Sequence, residues 1–340
     1  MVKQIDMNDM IRKCIFLLIA ASIIVISACE KQYGDIIPLP PLEQPEGTTV
    51  KKLAIVDSSD DKVLIVNTLT KEIEWSWSVE ETDLLPAAKA RFALLDEVKP
   101  VYGGKYLLIT ATRGAVAIIR ISDKKLMFYA FPMGYPHSAE ILPDGNVIVA
   151  CSDDGTAAGN ALKLFAVDTV RVYSEQCLLE VDNDFAHNVV WDRESEVLWS
   201  TANDVLNAWT YRREGGSYIL SVKETYKLPD DQAHELFPVY GFRQLWLTTH
   251  YGIYKFDVKN HIFTKLNAST NTNIKCVSSG SAEFETILIY PTEQYWTDRI
   301  IDTGGRMVFS KPGAHFYKAR WMLENSFSYP EDNEFKVSSK

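Results

Sequence analysis

The sequence predicts an all-β fold, specifically a six-bladed β-propeller built from four-stranded blades. Six segments begin alike, with a basic residue before a short half-apolar strand, and they recur every 41–50 residues. Each recurring unit holds short runs of β-branched and aromatic residues separated by turn residues. A repeat of about 40–50 residues that is rich in short strands is typical of propeller blades. The six segments begin at Lys89, His137, His187, His234, Lys275 and Lys318.

These six segments are the predicted innermost strands, and three more strands follow in each of the first five units. Second strands are predicted at 105–112, 146–152, 196–202, 244–250 and 285–291. Third strands are predicted at 115–121, 161–167, 205–211, 252–258 and 295–301. Fourth strands are predicted at 126–132, 177–181, 222–228, 262–266 and 306–310. Glycine pairs such as Gly215-Gly216 favour turns between the strands.

The sixth blade is divided between the two ends of the chain. Residues 52–58, 63–67 and 72–78 supply three strands that no inner strand precedes. The segment that begins at Lys318 supplies an inner strand that no other strand follows. Pairing the N-terminal strands with this C-terminal inner strand closes the ring and removes an exposed sheet edge.

The N-terminus predicts a lipoprotein signal peptide over residues 1–28. Lys3, Arg12 and Lys13 precede an apolar run at 15–26, which is short for a membrane span. The run ends in Ile-Ser-Ala-Cys29, which resembles the lipobox of bacterial lipoproteins and implies lipidation of Cys29. We therefore expect a protein anchored by lipid in the bacterial cell envelope, periplasmic or surface-exposed. Residues 29–51 form a proline-rich tether, 52–329 the β-propeller and 330–340 a polar tail.

Charge and cysteine content exclude several classes of function. The formal net charge of −10 argues against a nucleic-acid partner, because no basic stretch could displace counterions from phosphates. Beyond the signal peptide and Cys29, three cysteines remain, namely Cys151, Cys177 and Cys276. An odd number without a CxxC spacing is not a disulfide framework or a zinc site. Either Cys151 and Cys177 pair within one blade, or all three are buried small residues.

The inner strands of a propeller line its central channel, so the six opening residues are expected at one channel mouth. Alternation along a strand places residues two positions further on toward the same side, which adds Arg91 and Arg320. The turns after the second strands add Arg113 and His250 on that face. A mouth lined by one sign of charge concentrates potential and favours an anion. The predicted ligand-binding residues are Lys89, Arg91, Arg113, His137, His187, His234, His250, Lys275, Lys318 and Arg320.

His137, His187 and His234 come from consecutive blades, and three interpretations of this trio are open. They could ligate a divalent metal, since three imidazoles leave a coordination position for water or substrate. They could line an anion pocket in which His137 or His187 acts as a catalytic acid or base. They could also be structural, donating to carbonyl groups of a neighbouring blade.

Five motifs carry a resemblance to a known family. They are Val-Asp-Ser-Ser-Asp-Asp-Lys-Val-Leu-Ile-Val (56–66), Pro-His-Ser-Ala-Glu-Ile-Leu-Pro-Asp-Gly-Asn-Val (136–147), Ala-His-Asn-Val-Val-Trp-Asp (186–192), Tyr-Trp-Thr-Asp-Arg (295–299) and Tyr-Lys-Ala-Arg-Trp (317–321). Together they resemble an uncharacterised family of secreted bacterial six-bladed β-propeller lipoproteins over nearly all of 52–325. The resemblance implies the fold and an extracytoplasmic setting, but no activity. Residues 136–147 alone resemble propeller arylsulfotransferases. Propeller polysaccharide lyases are analogous to this chain only in their fold and in their use of histidines.

These observations lead to one leading hypothesis and two alternatives. The leading hypothesis is a lipid-anchored envelope propeller that binds an acidic ligand, a uronate- or sulfate-bearing saccharide, at the channel mouth. The first alternative is a polysaccharide lyase or another histidine-dependent enzyme on acidic glycans, with a divalent metal as candidate cofactor. In a lyase, His187 or His137 would be the base, and Arg91 or Arg320 would neutralise the uronate carboxylate. The second alternative is a scaffold that binds another envelope protein.

Overall fold

A computed structural model describes residues 49–329 and 334–338 and confirms the predicted six-bladed propeller. Within these residues, 24 strands form six four-stranded antiparallel sheets. In each sheet the strands pair with sequence neighbours, except where the chain ends meet. The predicted signal peptide, Cys29 and the tether up to residue 48 lie outside the described residues, and they remain predictions.

The first blade joins both ends of the chain, as the sequence predicts. It contains, from the channel outward, β24 (Phe316–Trp321), β1 (Lys52–Asp57), β2 (Lys62–Asn67) and β3 (Ile73–Ser78). Strand β24 pairs antiparallel with β1, placing Leu53 opposite Trp321 and Ile55 opposite Ala319. The inner strands of successive blades contact one another around the ring. The chain ends therefore close the ring by main-chain pairing.

The other five blades follow in chain order, each from the channel outward. Blade 2 contains β4 (Leu95–Val101), β5 (Tyr106–Ala111), β6 (Ala115–Arg120) and β7 (Leu126–Ala130). Blade 3 contains β8 (Tyr135–Ile141), β9 (Val147–Ser152), β10 (Ala161–Phe165) and β11 (Cys177–Asp182). Blade 4 contains β12 (Asn188–Asp192), β13 (Val197–Ala202), β14 (Val205–Glu214) and β15 (Ser217–Lys227). Blade 5 contains β16 (Glu235–Pro238), β17 (Gln244–Thr248), β18 (Ile253–Asp257) and β19 (Ile262–Lys265). Blade 6 contains β20 (Cys276–Ser278), β21 (Ile287–Ile289), β22 (Arg299–Asp302) and β23 (Met307–Ser310).

The inner strand of blade 2 is the one that the sequence misplaces. The prediction that it begins at Lys89 is wrong, because Pro86–Lys89 is a helical turn and Ala90–Phe92 a 3-10 turn. Pro86 at the first helical position has the dihedral angle that starts a helix. Strand β4 begins at Leu95, directly after Leu94, whose φ of 59° turns the chain. Lys89 and Arg91 therefore lie in the connection before the strand.

The hydrophobic core lies between neighbouring sheets, because each middle strand is covered on both faces. Strands β5, β6, β9 and β13 are buried almost throughout, which is why their sequences are largely apolar and do not alternate with charged residues. Between blades 1 and 2, Trp77 and Phe92 pack edge to face, at a ring-centroid distance of 6.2 Å. None of the helices among the described residues is long and apolar enough to cross a lipid bilayer.

The cysteines and the chain end complete the description of the fold. Cys151, Cys177 and Cys276 are all free, so the considered Cys151–Cys177 disulfide does not form. Cys151 and Cys276 are buried, whereas Cys177 is half-buried. Near the C-terminus, Phe335 packs against Tyr102 and Tyr106 of blade 2.

Candidate functional site

Charged side chains of the inner strands meet inside the channel. The guanidinium of Arg320, on β24, donates to both carboxylate oxygens of Glu97, at 2.9 and 3.0 Å, and to both of Glu235, at 2.8 and 2.9 Å. The ammonium of Lys318 donates to the main-chain oxygen of His234 at 2.7 Å and lies 3.4 Å from Glu235. We call these four side chains, Glu97, Glu235, Lys318 and Arg320, the channel network.

The channel network is fully buried, and Glu235 and Arg320 stay charged within it. Arg320, Glu97 and Glu235 are 0 % exposed, and Lys318 is 1 % exposed. Burial by itself would raise the pKa of Glu235, but the charges of Arg320 and Lys318 lower that pKa to about 2. Bidentate, charge-assisted hydrogen bonds of this kind fix geometry as well as charge. The network therefore ties blades 1, 2 and 5 together across the channel.

A second buried ion pair joins Lys99 of blade 2 to Glu140 of blade 3. The ammonium of Lys99, on β4, donates to the main-chain oxygen of Val189 at 2.7 Å and lies 3.4 Å from Glu140. Burial raises the pKa of Glu140, although the charge of Lys99 opposes that shift. Lys99 is therefore the basic residue that blade 2 places on its inner strand, whereas Lys89 and Arg91 lie before that strand.

The three predicted histidines do meet, at the end of the channel where the inner strands begin. The rings of His137 and His187 stack with centroids 4.3 Å apart and an interplanar angle of 12°. The rings of His187 and His234 meet edge to face at 5.3 Å. Phe185 covers His187 from another side, at 4.0 Å. We call His137, His187 and His234 the histidine cluster.

Hydrogen bonds fix the tautomers of two rings in the histidine cluster. His187 Nδ1 donates to the main-chain oxygen of Phe185 at 3.0 Å, since a carbonyl can only accept. His137 Nδ1 is 2.8 Å from Oδ2 of the buried Asp96, which also accepts from the Thr112 hydroxyl at 2.9 Å. In the neutral ring, this bond leaves His137 Nε2 as the atom that can take up a proton. Of the His137 side chain, 15 % is exposed.

Two members of the histidine cluster are held in the neutral form. Burial, and then the neighbouring His137 and His234, lower the pKa of His187 well below its usual value. Burial, and then the charges of Lys275 and Lys318, lower the pKa of His234 well below its usual value. His234 Nδ1 is buried without a hydrogen-bond partner among the described residues. Both rings therefore offer neutral donors and acceptors.

Lys275 directly precedes β20, the inner strand of blade 6, and differs from the other channel cations. The residue is 2 % exposed, yet no hydrogen bond or ion pair joins its ammonium to a described side chain or carbonyl. Burial and the charge of Lys318 lower the pKa of Lys275 to about 7, while the charge of Asp96 opposes the shift. The Lys275 ammonium is therefore a largely buried cation without a hydrogen-bonded or ion-paired partner among the described residues, and the Asp96 carboxylate only partly offsets the effect of burial.

The histidine cluster does not have the geometry of a metal centre. A metal ion lies in the plane of each imidazole that ligates it, and two stacked, nearly parallel rings share no such point. Among residues 49–329 and 334–338, no group of three or more histidine, cysteine, aspartate or glutamate side chains is arranged to hold a metal ion. The arrangement therefore favours the acid-base and structural interpretations of the trio.

The structure separates the other predicted ligand-binding residues into three environments. Lys318 and Arg320 belong to the channel network, where their charges are paired. Lys89 pairs with Glu80 at 3.3 Å, and Arg91 is exposed in the turn before β4. Arg113 and His250 lie in the turns after β5 and β17, and His250 is close enough to affect the pKa of His234. The histidine cluster and Lys275 are thus the part of the predicted site that assembles with its polar groups available.

Sequence reasoning missed the carboxylates of this region. Asp96, Glu97, Glu140 and Glu235 lie on inner strands, and each is at most 4 % exposed. The sequence feature that indicates such carboxylates is a charged residue within an otherwise apolar strand. When that strand is buried, the charged side chain requires a partner. On the same face, Tyr251 and Tyr295 are 53 % and 60 % exposed in the connections after β17 and β21. These connections lie at the end of the blades where the inner strands begin.

Comparison with known proteins gives a family but no function. A family model described as a family of unknown function (DUF6528) matches residues 11–339. No curated protein sequence matches the chain. Among solved structures, hydrazine synthase of Kuenenia stuttgartiensis is similar, with a TM-score of 0.48 and 14% identity over 77% of this chain and 80% of that chain. A similarity of this size carries no argument about activity.

Proposed function

The chain belongs to this family of unknown function, so its activity has to be inferred from the channel mouth, and we propose that the mouth binds a small acidic ligand. The observation that carries the proposal is the buried Lys275, whose ammonium has no hydrogen-bond or ion-pair partner among the described residues and whose charge acts on the neutral His234. A buried charge is costly unless it is paired, so an incoming carboxylate or sulfate would be stabilised there. Lys318 and Arg320 serve the fold, because Glu97 and Glu235 already pair with them.

The surroundings of Lys275 support an anion as the occupant. The charge of Lys318 is close enough to lower the pKa of Lys275, so an anion between them would reduce the repulsion of two like charges. The carboxylate of Asp96 is engaged by His137 and Thr112. His234 Nδ1 adds a polar atom that lacks a partner. A monoanion with further hydrogen-bonding groups fits this combination.

The rim favours a saccharide as the body of that ligand. Tyr251 and Tyr295 present exposed aromatic rings on the face of the mouth, and such rings stack on the apolar faces of sugars. We therefore propose a uronate- or sulfate-bearing saccharide. The proposed setting is the bacterial cell envelope, where lipidation of Cys29 would hold the propeller on a membrane beside envelope glycans.

Replacing Lys275 by methionine is expected to weaken binding of an acidic sugar by about tenfold or more, because one charge-assisted contact is lost. Isothermal titration calorimetry with glucuronate, galacturonate and glucose 6-sulfate, and with glucose as the neutral control, measures the change. Binding of the acidic sugars should weaken as the pH rises through about 7, where the Lys275 ammonium loses its proton.

The matched control is Lys255→Met. The ammonium of Lys255 lies 4.7 Å from the Trp246 ring centroid on β17 and β18, and it belongs to neither the channel network nor the mouth. This variant should bind the acidic sugars as the unmodified protein does. Equal affinity of the Lys275→Met variant, or no binding of any acidic sugar by the unmodified protein, would reject the proposed function.

A second candidate function, base-catalysed elimination on an acidic glycan, is favoured by one observation. The 2.8 Å contact between Asp96 and His137 orients the imidazole and leaves Nε2 to take a proton from the carbon next to a carboxylate. Lys275 replaces Arg91 and Arg320 as the residue that would neutralise the uronate, since Arg320 is fully paired and Arg91 lies in an exposed turn. The test is the appearance of unsaturated products from polyuronates, and its loss in an Asp96→Asn variant.

A further inference from the structure

The chain continues beyond the closing strand β24 along the far face of the propeller, opposite the channel mouth. We call residues 322–329 and 334–338 the C-terminal belt. The inner strands begin at the mouth, so the belt starts on the far face, directly after Trp321. The main-chain nitrogen of Met322 donates to the main-chain oxygen of Lys52 at 2.9 Å. Because Lys52 starts β1, the belt is bound to blade 1 at its origin.

The C-terminal belt then contacts blades 6, 5 and 4 in turn. A methyl group added to Gly280 of blade 6 would lie only 2.8 Å from Leu323 Cδ1. Phe327 is 7 % exposed and packs into the core cluster between blades 4 and 5. The Arg243 guanidinium of blade 5 lies 4.8 Å from the centroid of the Phe327 ring. The main-chain oxygen of Phe327 accepts a hydrogen bond from the main-chain nitrogen of Arg193, in blade 4, at 3.4 Å.

The rest of the C-terminal belt reaches blades 3 and 2. The Tyr329 hydroxyl accepts a hydrogen bond from the main-chain nitrogen of Ile141, at the end of β8, at 3.0 Å. The main-chain nitrogen of Ser338 donates to the main-chain oxygen of Val167 at 2.9 Å, and the Ser338 hydroxyl accepts from the Val167 nitrogen at 2.6 Å. Phe335 packs on two tyrosine rings of blade 2, at centroid distances of 5.6 and 5.3 Å. The belt therefore contacts all six blades.

We propose that the C-terminal belt is a second closure of the ring, which keeps the closing strand β24 on β1. The pairing of β24 with β1 joins the two ends of the ring through main-chain hydrogen bonds. Such a joint opens transiently, and a strand without further anchors would then separate. Because the belt continues from β24 and is docked on blades 2 to 6, it holds β24 at a high effective concentration beside β1. The opened joint therefore recloses before the ring unfolds, whatever ligand occupies the channel mouth.

Hydrogen–deuterium exchange of the full chain tests this inference in a Phe327→Ala variant. Phe327 contacts blades 4 and 5, whereas β24 and β1 form blade 1, and blade 4 lies opposite blade 1 in a ring of six. We expect the amides of β24 and β1 to exchange about tenfold faster in the variant, because the belt is released from two blades. Mass spectrometry of peptic peptides measures the exchange rates.

The matched control is Phe263→Ala, which removes a ring that packs on the same core cluster but lies outside the C-terminal belt. Exchange in blades 4 and 5 should rise in both variants, whereas exchange in blade 1 should rise in Phe327→Ala alone. A milder belt variant, Tyr329→Phe, removes only the hydroxyl that accepts from Ile141 and should speed exchange in blade 1 about threefold.

The Tyr329→Phe variant decides the question if Phe327→Ala does not fold. Unchanged exchange in β24 and β1 in a belt variant that folds would overturn the inference. An equal rise of exchange in blade 1 in the Phe263→Ala control would also overturn it, because loss of core packing would then explain the effect.

Discussion

Replacing Arg320 by methionine is expected to lower the free energy of unfolding by about 3–5 kcal/mol, the largest effect of any substitution considered. The guanidinium makes paired hydrogen bonds to Glu97 and Glu235, and all three side chains are 0 % exposed. Methionine fills a similar volume but leaves two buried carboxylates without that charge. Urea unfolding of the variant and the unmodified protein at pH 7 measures the difference.

Two further variants make the Arg320 experiment specific to the channel network. In the double variant Glu97→Gln, Arg320→Met the buried charge of Glu97 is removed too, while Glu235 keeps Lys318 as its partner, so much of the lost stability should return. Arg120→Met breaks an exposed pair with Asp123 and should leave stability nearly unchanged. If Arg320→Met unfolds like the unmodified protein, the channel network does not hold blades 1, 2 and 5 together.

Acidification from about pH 6.5 to about pH 5.5 is expected to lower the free energy of unfolding by about 1 kcal/mol for each of His187 and His234. Both pKa values lie well below 6.5 in the folded protein, chiefly because of burial. In this window the unfolded chain binds protons that the folded protein does not, so stability falls as the pH falls. The loss ends only where the pH drops below the lowered pKa values.

The double variant His187→Gln, His234→Gln isolates this contribution, because glutamine does not titrate. Its urea-unfolding curves at the two pH values should differ by about 2 kcal/mol less than those of the unmodified protein. His261→Gln replaces an exposed histidine outside the histidine cluster and should leave the difference as it is. Lys275 does not contribute here, since its lowered pKa of about 7 keeps it mainly protonated below that pH. An unchanged pH dependence in the double variant would mean that the two rings are not held neutral.

The fold was predictable because its signal is periodic. Turn residues and short apolar runs recur at the spacing of one blade, and the second strand of blade 4 is found at Val197–Ala202 against a predicted 196–202. The divided blade followed from the unpaired strands at the two ends, since an open edge is unfavourable. The inner strand of blade 2 was misplaced at Lys89 because the sequence Lys89-Ala-Arg-Phe is nearly identical to Lys318-Ala-Arg-Trp. In the structure, Pro86 starts a helical turn at this point.

The site was predictable only in part, because pairing in the channel is non-local. The histidine cluster assembled as expected, since equivalent positions of consecutive blades face one axis. The partners of Arg320 lie 223 and 85 residues away along the chain, so no local pattern reveals that its charge is already paired. The same non-local pairing engages Lys318 and Arg320 and leaves the Lys275 ammonium without a bonded partner among the described residues. The sequence identified the ring of basic residues, and the three-dimensional structure indicates which member of that ring remains available.

We propose the Lys275 ammonium as the acid-binding group of the channel mouth. A crystal structure of the protein soaked with glucuronate tests it most directly. The predicted result is a carboxylate in hydrogen-bond contact with Lys275 Nζ, next to His234 and the rings of the histidine cluster. A glucuronate bound elsewhere, or a Lys275 ammonium that is paired with a protein carboxylate such as Asp96, would contradict the claim.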